Sequence, residues 1–231
     1  MTRVTCVTDN CVRPGSTFWG EHGVSFLIET DAGCILFDTG QSPEVLAHNL
    51  RQLGDSFPPV QALALSHAHE DHTGGLRWAL NAWPGLPVYA NADLFRPRYY
   101  RGQAGQLRYV GLNTSQDELR HAASLHLSRQ PVQLLPTLWT TGEIQERSEL
   151  PGGSPRLLVP DGDGWRQDAY QDDMSLVLKT GAGWVLICGC CHAGLLNTLA
   201  HVRRVFGTPI ISVLGGAHLL DLPPPARREP R

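Results

Sequence analysis

Residues 66–76 read Ser-His-Ala-His-Glu-Asp-His-Thr-Gly-Gly-Leu, so three imidazoles (His67, His69, His72) and the carboxylate of Asp71 fall within six positions. Imidazole nitrogen and carboxylate oxygen are the donors that borderline divalent ions such as zinc prefer. The cluster follows directly on the apolar run Val60 to Leu65, which reads as a buried strand. A strand ending in such a cluster delivers several ligands to one point. In a short loop His67 and His69 grip one ion while Asp71 and His72 turn toward a second.

Two later histidines share this placement. His192, in Cys-Gly-Cys-Cys-His-Ala-Gly, and His218, in Gly-Gly-Ala-His-Leu, each come just after an apolar strand pattern. Common position at strand ends is the physical reason to expect one site, with both as further metal ligands. Asp38, in Phe-Asp-Thr-Gly, fits as a supporting carboxylate that takes the free ring N–H of a ligand histidine and fixes its tautomer. It also suits a turn around Gly40. His48, His121, His126 and His201 lie in helical or loop patterns and read as ordinary surface or helix residues.

The elements that must position these groups alternate strand and helix. Val24 to Thr30 and Cys34 to Asp38 form a strand pair around the turn Asp31-Ala32-Gly33. Ser42-Pro43 caps a helix that ends at Gly54. The motif strand, a helix from Thr73 to about Ala82 and a short strand at Val88 to Ala90 follow. Residues 92–170 carry loop signals such as Pro151-Gly152-Gly153 and Asp161-Gly162-Asp163-Gly164, and read as an irregular insertion. Strands return at Met174 to Thr180 and Trp184 to Gly189, then a helix to Phe206 and a strand at Pro209 to Leu214.

Composition narrows the class. Of 231 residues, 42% are hydrophobic and 18% charged, the balance of an ordinary globular chain, and the formal net charge is −3. No basic field suggests nucleic acid, and no apolar run reaches the roughly 20 residues that span a bilayer. The first ten residues lack a charged-then-apolar export pattern, so a cytoplasmic location with reduced thiols is expected for the six cysteines. The domain is expected over 1–220, with 221–231 as a disordered tail.

His-x-His-x-Asp-His after a strand resembles the signature of the metallo-β-lactamase superfamily. Glu21-His22-Gly23, Phe37-Asp38-Thr39-Gly40, Asp172-Asp173, Cys190-Cys191-His192 and Gly215-Gly216-Ala217-His218 narrow the likeness. Together they are similar to the branch holding the archaeal 7,8-dihydropterin-6-methyl-4-(β-D-ribofuranosyl)aminobenzene-5′-phosphate synthases and related metal-dependent hydrolases. The resemblance implies an α/β fold, a four-layered αββα sandwich, shortened at the C-terminal end because the relatives run on past the Gly-Gly-x-His-Leu element. It departs at Cys191, usually Ser in the relatives, and at Cys190, where many dinuclear members carry a bridging Asp. Asp173, Cys190 or a water is left to bridge.

The implied chemistry is a metallo-hydrolase with two divalent ions, zinc first and iron or manganese as alternatives. It would use a metal-activated water on an ester or phosphoester. Asp71 and His22 are the candidate catalytic groups, His22 orienting substrate or serving only the first strand. Arg96, Arg98, Arg101 and Arg108 would suit a small anionic, even phosphorylated, substrate; the residues that bind it cannot be read from the sequence. The alternatives are a pterin-related synthase or alkyl-transferase, whose metal polarises the substrate, and a non-catalytic metal or ligand binder.

Overall fold

The structure, a computed structural model, describes residues 2–54 and 57–219, and all counts below refer to these. The tail expected to be disordered over 221–231 lies outside the described residues. A six-stranded sheet has the order β1-β2-β3-β4-β5-β8. Its strands are β1 (Arg3–Thr8), β2 (Ser25–Thr30), β3 (Gly33–Phe37), β4 (Val60–Ala64), β5 (Pro87–Ala90) and β8 (Ser124–Leu127). A five-stranded sheet runs β15-β14-β13-β10-β9, built from β9 (Gln133–Leu135), β10 (Leu138–Thr140), β13 (Leu176–Thr180), β14 (Gly183–Cys188) and β15 (Ile210–Gly215).

Alternation along the strands creates the layers. Phe26, Ile28, Ile35, Phe37 and Ala64 on one face of the first sheet pack against Leu138, Leu176, Leu178 and Ile187 of the second. The intervening residues Leu27, Leu36 and Leu63 point the other way, onto α1 (Pro43–Leu53) and α3 (Leu76–Ala82) through Leu46, Leu50 and Leu80. On the far side, Val177, Leu186 and Cys188 meet Val202 of α5 (Leu195–Phe206). The period-two exchange of faces therefore gives helix, sheet, sheet, helix. Each fully buried large apolar side chain contributes about 1.5–3 kcal/mol.

Local chemistry sets the element ends. Ser42 caps α1, its side chain accepting from the Val45 N–H, with Pro43 in the first turn and Gly54 at the C-terminus. Gly207, in the left-handed region, ends α5. The helix expected from Thr73 is two: α2 (Glu70–Thr73), which carries Asp71 and His72, and α3, separated by Gly74-Gly75.

Residues 92–170 depart most from expectation. They are not irregular throughout. They supply β8 to the first sheet, β9 and β10 to the second, the capped helix α4 (Gln116–Ala122), and a separate four-stranded sheet. That sheet has the order β12-β11-β6-β7, with β6 (Tyr99–Arg101), β7 (Leu107–Tyr109), β11 (Leu157–Asp161) and β12 (Gly164–Gln167). Strands of three to five residues leave too little alternation to register as strands in the sequence. Among the described residues no helix is long and apolar enough to cross a membrane.

Candidate metal centre

The site gathers at the C-terminal ends of β3, β4, β14 and β15, where two parallel pairs, β3–β4 and β14–β15, open toward each other. After β4, Ser66, His67, His69 and His72 are all buried, and Asp71 is nearly so. His67 Nε2 lies 3.0 Å from His69 Nδ1, and the His192 ring stands 4.8 Å from His67 and 4.9 Å from His69, centroid to centroid. His218 joins from β15, its ring 4.6 Å from that of His192. All six residues expected to bind metal are thus brought together.

Ligand atoms converge in two groups. His67, Cys190 and His192 each offer one atom within 4.8 Å of the others, and so do Asp71, His72 and Cys190. Cys190 belongs to both. Its Sγ is 3.0 Å from His72 Nε2, which also faces Asp71 Oδ2 at 3.3 Å. The next residue behaves oppositely: the Cys191 thiol turns into the core beneath α5, 3.4 Å from Thr198 Oγ1, and its hydrogen bond to Cys188 together with burial pushes its pKa up.

Asp38 is the hub behind the motif. Fully buried, it accepts the Ser66 N–H at 2.7 Å, the Ser66 hydroxyl at 2.7 Å and His72 Nδ1–H at 2.6 Å. With Nδ1 committed to Asp38, Nε2 is the His72 nitrogen that faces Cys190 and Asp71. Burial alone would depress the pKa of His72, yet Cys190, Asp71 and Asp38 outweigh it and hold it well above the ordinary value. His67 and His192 go the other way: burial, then neighbouring histidines, keep both imidazoles neutral. Burial takes His69 down to about 3. Neutral imidazole is the metal-accepting form.

Asp173 takes the Ala193 N–H at 2.7 Å on Oδ2 and stands in neither ligand group, so it braces the His192 loop. His22 lies at the rim, its exposed ring 3.5 Å from Asp71 Oδ2. The chain reaches Asp71 through Gly23, at φ +108, where a Cβ would come 1.9 Å from the Asp71 carbonyl oxygen; only glycine allows that approach. At Gly189 a Cβ would likewise strike the Ser66 hydroxyl at 2.2 Å.

The family model of the metallo-beta-lactamase superfamily matches residues 19–168. The chain belongs to this superfamily. A solved structure described as a metal-dependent hydrolase of the beta-lactamase superfamily superposes with a TM-score of 0.79 at 27% identity, covering 97% of this chain and 80% of that one. The 7,8-dihydropterin-6-methyl-4-(beta-D-ribofuranosyl)-aminobenzene-5′-phosphate synthase of Methanocaldococcus jannaschii is 28% identical, over 89% of this chain and 74% of its own length. An uncharacterised protein of the same archaeon is 32% identical, over 89% and 75%. Metallo-β-lactamase superfamily members bind divalent metals, often zinc, and the residues here fit such an ion. The buried His69 Nε2 and His192 Nε2 have no hydrogen-bond partner among the described residues, which is costly for a polar atom unless a ligand completes it.

Sequence reasoning did not single out Tyr170, whose ring lies flat on His192 (4.4 Å, 8°), nor the backbone carbonyl of Gly152, 3.1 Å from His192 Nδ1. Neither has a motif to announce it. Backbone conformation does: the four non-glycine residues with positive φ are Asp38, Tyr170, Cys191 and His218, all at this metallo-β-lactamase centre. Three of the four arginines expected to suit an anionic substrate have carboxylate partners, while Arg101 is exposed. Arg96 pairs with Asp93, Arg98 with three aspartates, and Arg108 with Glu70 of the motif.

Proposed function

We propose that this chain is a metal-dependent hydrolase that holds two divalent ions, zinc first with iron or manganese as alternatives. Its substrate is a small, anionic ester or phosphoester. The observation that carries the reading is the meeting of two ligand groups on one sulfur, Cys190. His67 and His192 form one half with that thiol and Asp71 and His72 the other, while His69 stands beside His67 and His218 beside His192. Cys190 is favoured over Asp173 as the shared ligand because an Asp173 oxygen is committed to the Ala193 N–H.

A divalent ion bound there supplies Lewis acidity and lowers the pKa of water from about 15.7 toward 7. The chain's own part is positional. Asp38 holds the proton on His72 Nδ1, Asp173 and Gly152 fix the His192 loop and ring, and His22 stands at the rim beside Asp71 to orient the substrate. A phosphorylated substrate is favoured by the name of the methanogen synthase, which contains a 5′-phosphate. Arg96, Arg98 and Arg108 do not add to that support, since each already has a carboxylate partner. The same relative favours a second reading, a pterin-related synthase or alkyl-transferase in which the metal polarises the substrate.

Elemental analysis of wild type and His218→Ala, followed by turnover on nitrophenyl esters and bis(nitrophenyl) phosphate with and without chelator, tests the proposal. About two ions per chain, a loss of metal in the variant and chelator-sensitive hydrolysis are expected. Pterin binding without hydrolysis would move the assignment to the second reading, and metal-free protein after careful anaerobic purification would falsify both.

A further inference from the structure

Arg98 is fully buried and its guanidinium is engaged at all three nitrogens. Nε donates to Asp168 Oδ2 at 2.9 Å. Nη1 donates to the carbonyls of Arg96 at 2.9 Å and Asp93 at 3.3 Å. Nη2 donates to Asp93 Oδ2 at 3.2 Å and lies 2.7 Å from Asp172 Oδ1. A cation so enclosed is a poor device for stability alone, because apolar replacements of buried ion pairs are often neutral or better.

What distinguishes this cluster is where its carboxylates reach on their other sides. Asp172 Oδ2 accepts the N–H of Ala68, the residue between His67 and His69, at 2.8 Å. Asp168 Oδ1 accepts the N–H of Tyr170 at 2.8 Å, and the Tyr170 ring lies on His192. The Arg98 backbone reaches the motif as well: its carbonyl accepts the Val110 N–H at 2.9 Å, and the Val110 carbonyl accepts that of Glu70 at 2.9 Å. One guanidinium thus stands behind ligands from both sheets, one path ending on the β4 loop and another on the residue that covers His192.

We infer that Arg98 is a positioning residue that sets the spacing between the His67–His69 loop and His192, with Asp172 and Asp168 as its two arms. The inference rests on the metal reading above. Its reach is to the affinity and geometry of the site, with no contact to substrate. Lysine does not substitute, since a single ammonium lacks the planar fork that serves separate carboxylates at once.

The test is zinc affinity by chelator competition and the ligand-field spectrum of the cobalt-loaded protein, for wild type, Arg98→Lys, Asp172→Asn and Asp168→Asn. Urea unfolding of each metal-free protein runs in parallel. Asp93→Asn is the control, because Asp93 meets the same guanidinium but, among the described residues, hydrogen-bonds neither ligand loop. Expected are a 10–100-fold loss of zinc affinity and an altered cobalt spectrum in the Arg98, Asp172 and Asp168 variants. Asp93→Asn should stay within about twofold of wild type, whatever it loses in stability. Arg98→Lys and Asp172→Asn with wild-type affinity and spectrum would overturn the inference and leave Arg98 a folding residue. If Arg98→Lys does not fold, the two aspartate variants decide. Wild type that takes up neither zinc nor cobalt would instead overturn the metal reading itself.

Discussion

The ring of Tyr170 lies face to face with that of His192, centroids 4.4 Å apart and planes 8° from parallel, while its hydroxyl bridges the backbone of Ser154. Stacking and the Gly152 carbonyl together leave His192 one orientation, with Nε2 turned toward His67 and Cys190. Tyr170→Phe keeps the stack and loses only the Ser154 contacts, so it should bind zinc nearly as wild type does. Tyr170→Leu removes the flat surface and should weaken zinc binding by about tenfold or more, the usual cost of losing an outer partner of a metal ligand. Chelator competition distinguishes the two.

The Asp38 carboxylate accepts three hydrogen bonds in a fully buried place. Asp38→Ala strands the Ser66 N–H and His72 Nδ1–H and should cost about 1–3 kcal/mol for each group left unpaired. Asp38→Asn keeps the volume but cannot accept all three donors, and should lower zinc affinity 10–100-fold with a smaller loss of stability. Equilibrium unfolding of the metal-free protein, beside zinc titration, separates these effects.

Addition of zinc should stabilise the fold, because an unfolded chain cannot assemble ligands from residues 67 to 218. At free zinc one hundred times Kd the gain is about 2.7 kcal/mol for each site. A chelator should return the melting temperature to the metal-free value, and Cys190→Ser should show a smaller shift than wild type. A thermal melt that ignores zinc in wild type counts against the site.

His201 supplies a pH signature away from the candidate metal centre. Its Nε2 is 3.0 Å from the Thr141 carbonyl and its Nδ1 3.2 Å from Arg204 Nη2, so a second proton would face the guanidinium. Burial, with Arg204, lowers its pKa below the ordinary 6.5. The unfolded chain then binds the extra proton first, so stability is full above pH 6.5 and falls as the pH drops below it. His201→Gln lacks this liability. Its stability deficit relative to wild type should narrow between pH 7.5 and pH 5 in urea denaturation of metal-free protein.

Much of this architecture is legible because the candidate ligands sit at strand ends. The apolar run before His67 and the strand patterns before His192 and His218 mark both the strands and the position of the candidate ligands. The hairpin around Asp31-Ala32 and the caps at Ser42 and Gly207 are local chemistry, so they show in the sequence. The small sheet and β8–β10 are not legible, because strands of three to five residues carry too little alternation, and β8, β10 and β11 also pair with strands distant in the chain. Arg98 illustrates the limit at the site. Nothing in Arg-Pro-Arg-Tyr-Tyr distinguishes it from the exposed Arg101, and only the folded chain brings Asp168 and Asp172 to it.

The left-handed backbone at Asp38, Tyr170, Cys191 and His218 has a consequence for how this chain tolerates change. Each such residue carries a cost of about 1–3 kcal/mol that glycine would largely relieve. At Asp38, Tyr170 and Cys191 that relief is opposed by the buried contacts that glycine would remove. A library screened only for heat resistance should therefore drift toward glycine first at the half-buried His218 and lose that candidate ligand as it gains stability. Screening under limiting zinc would reverse that drift.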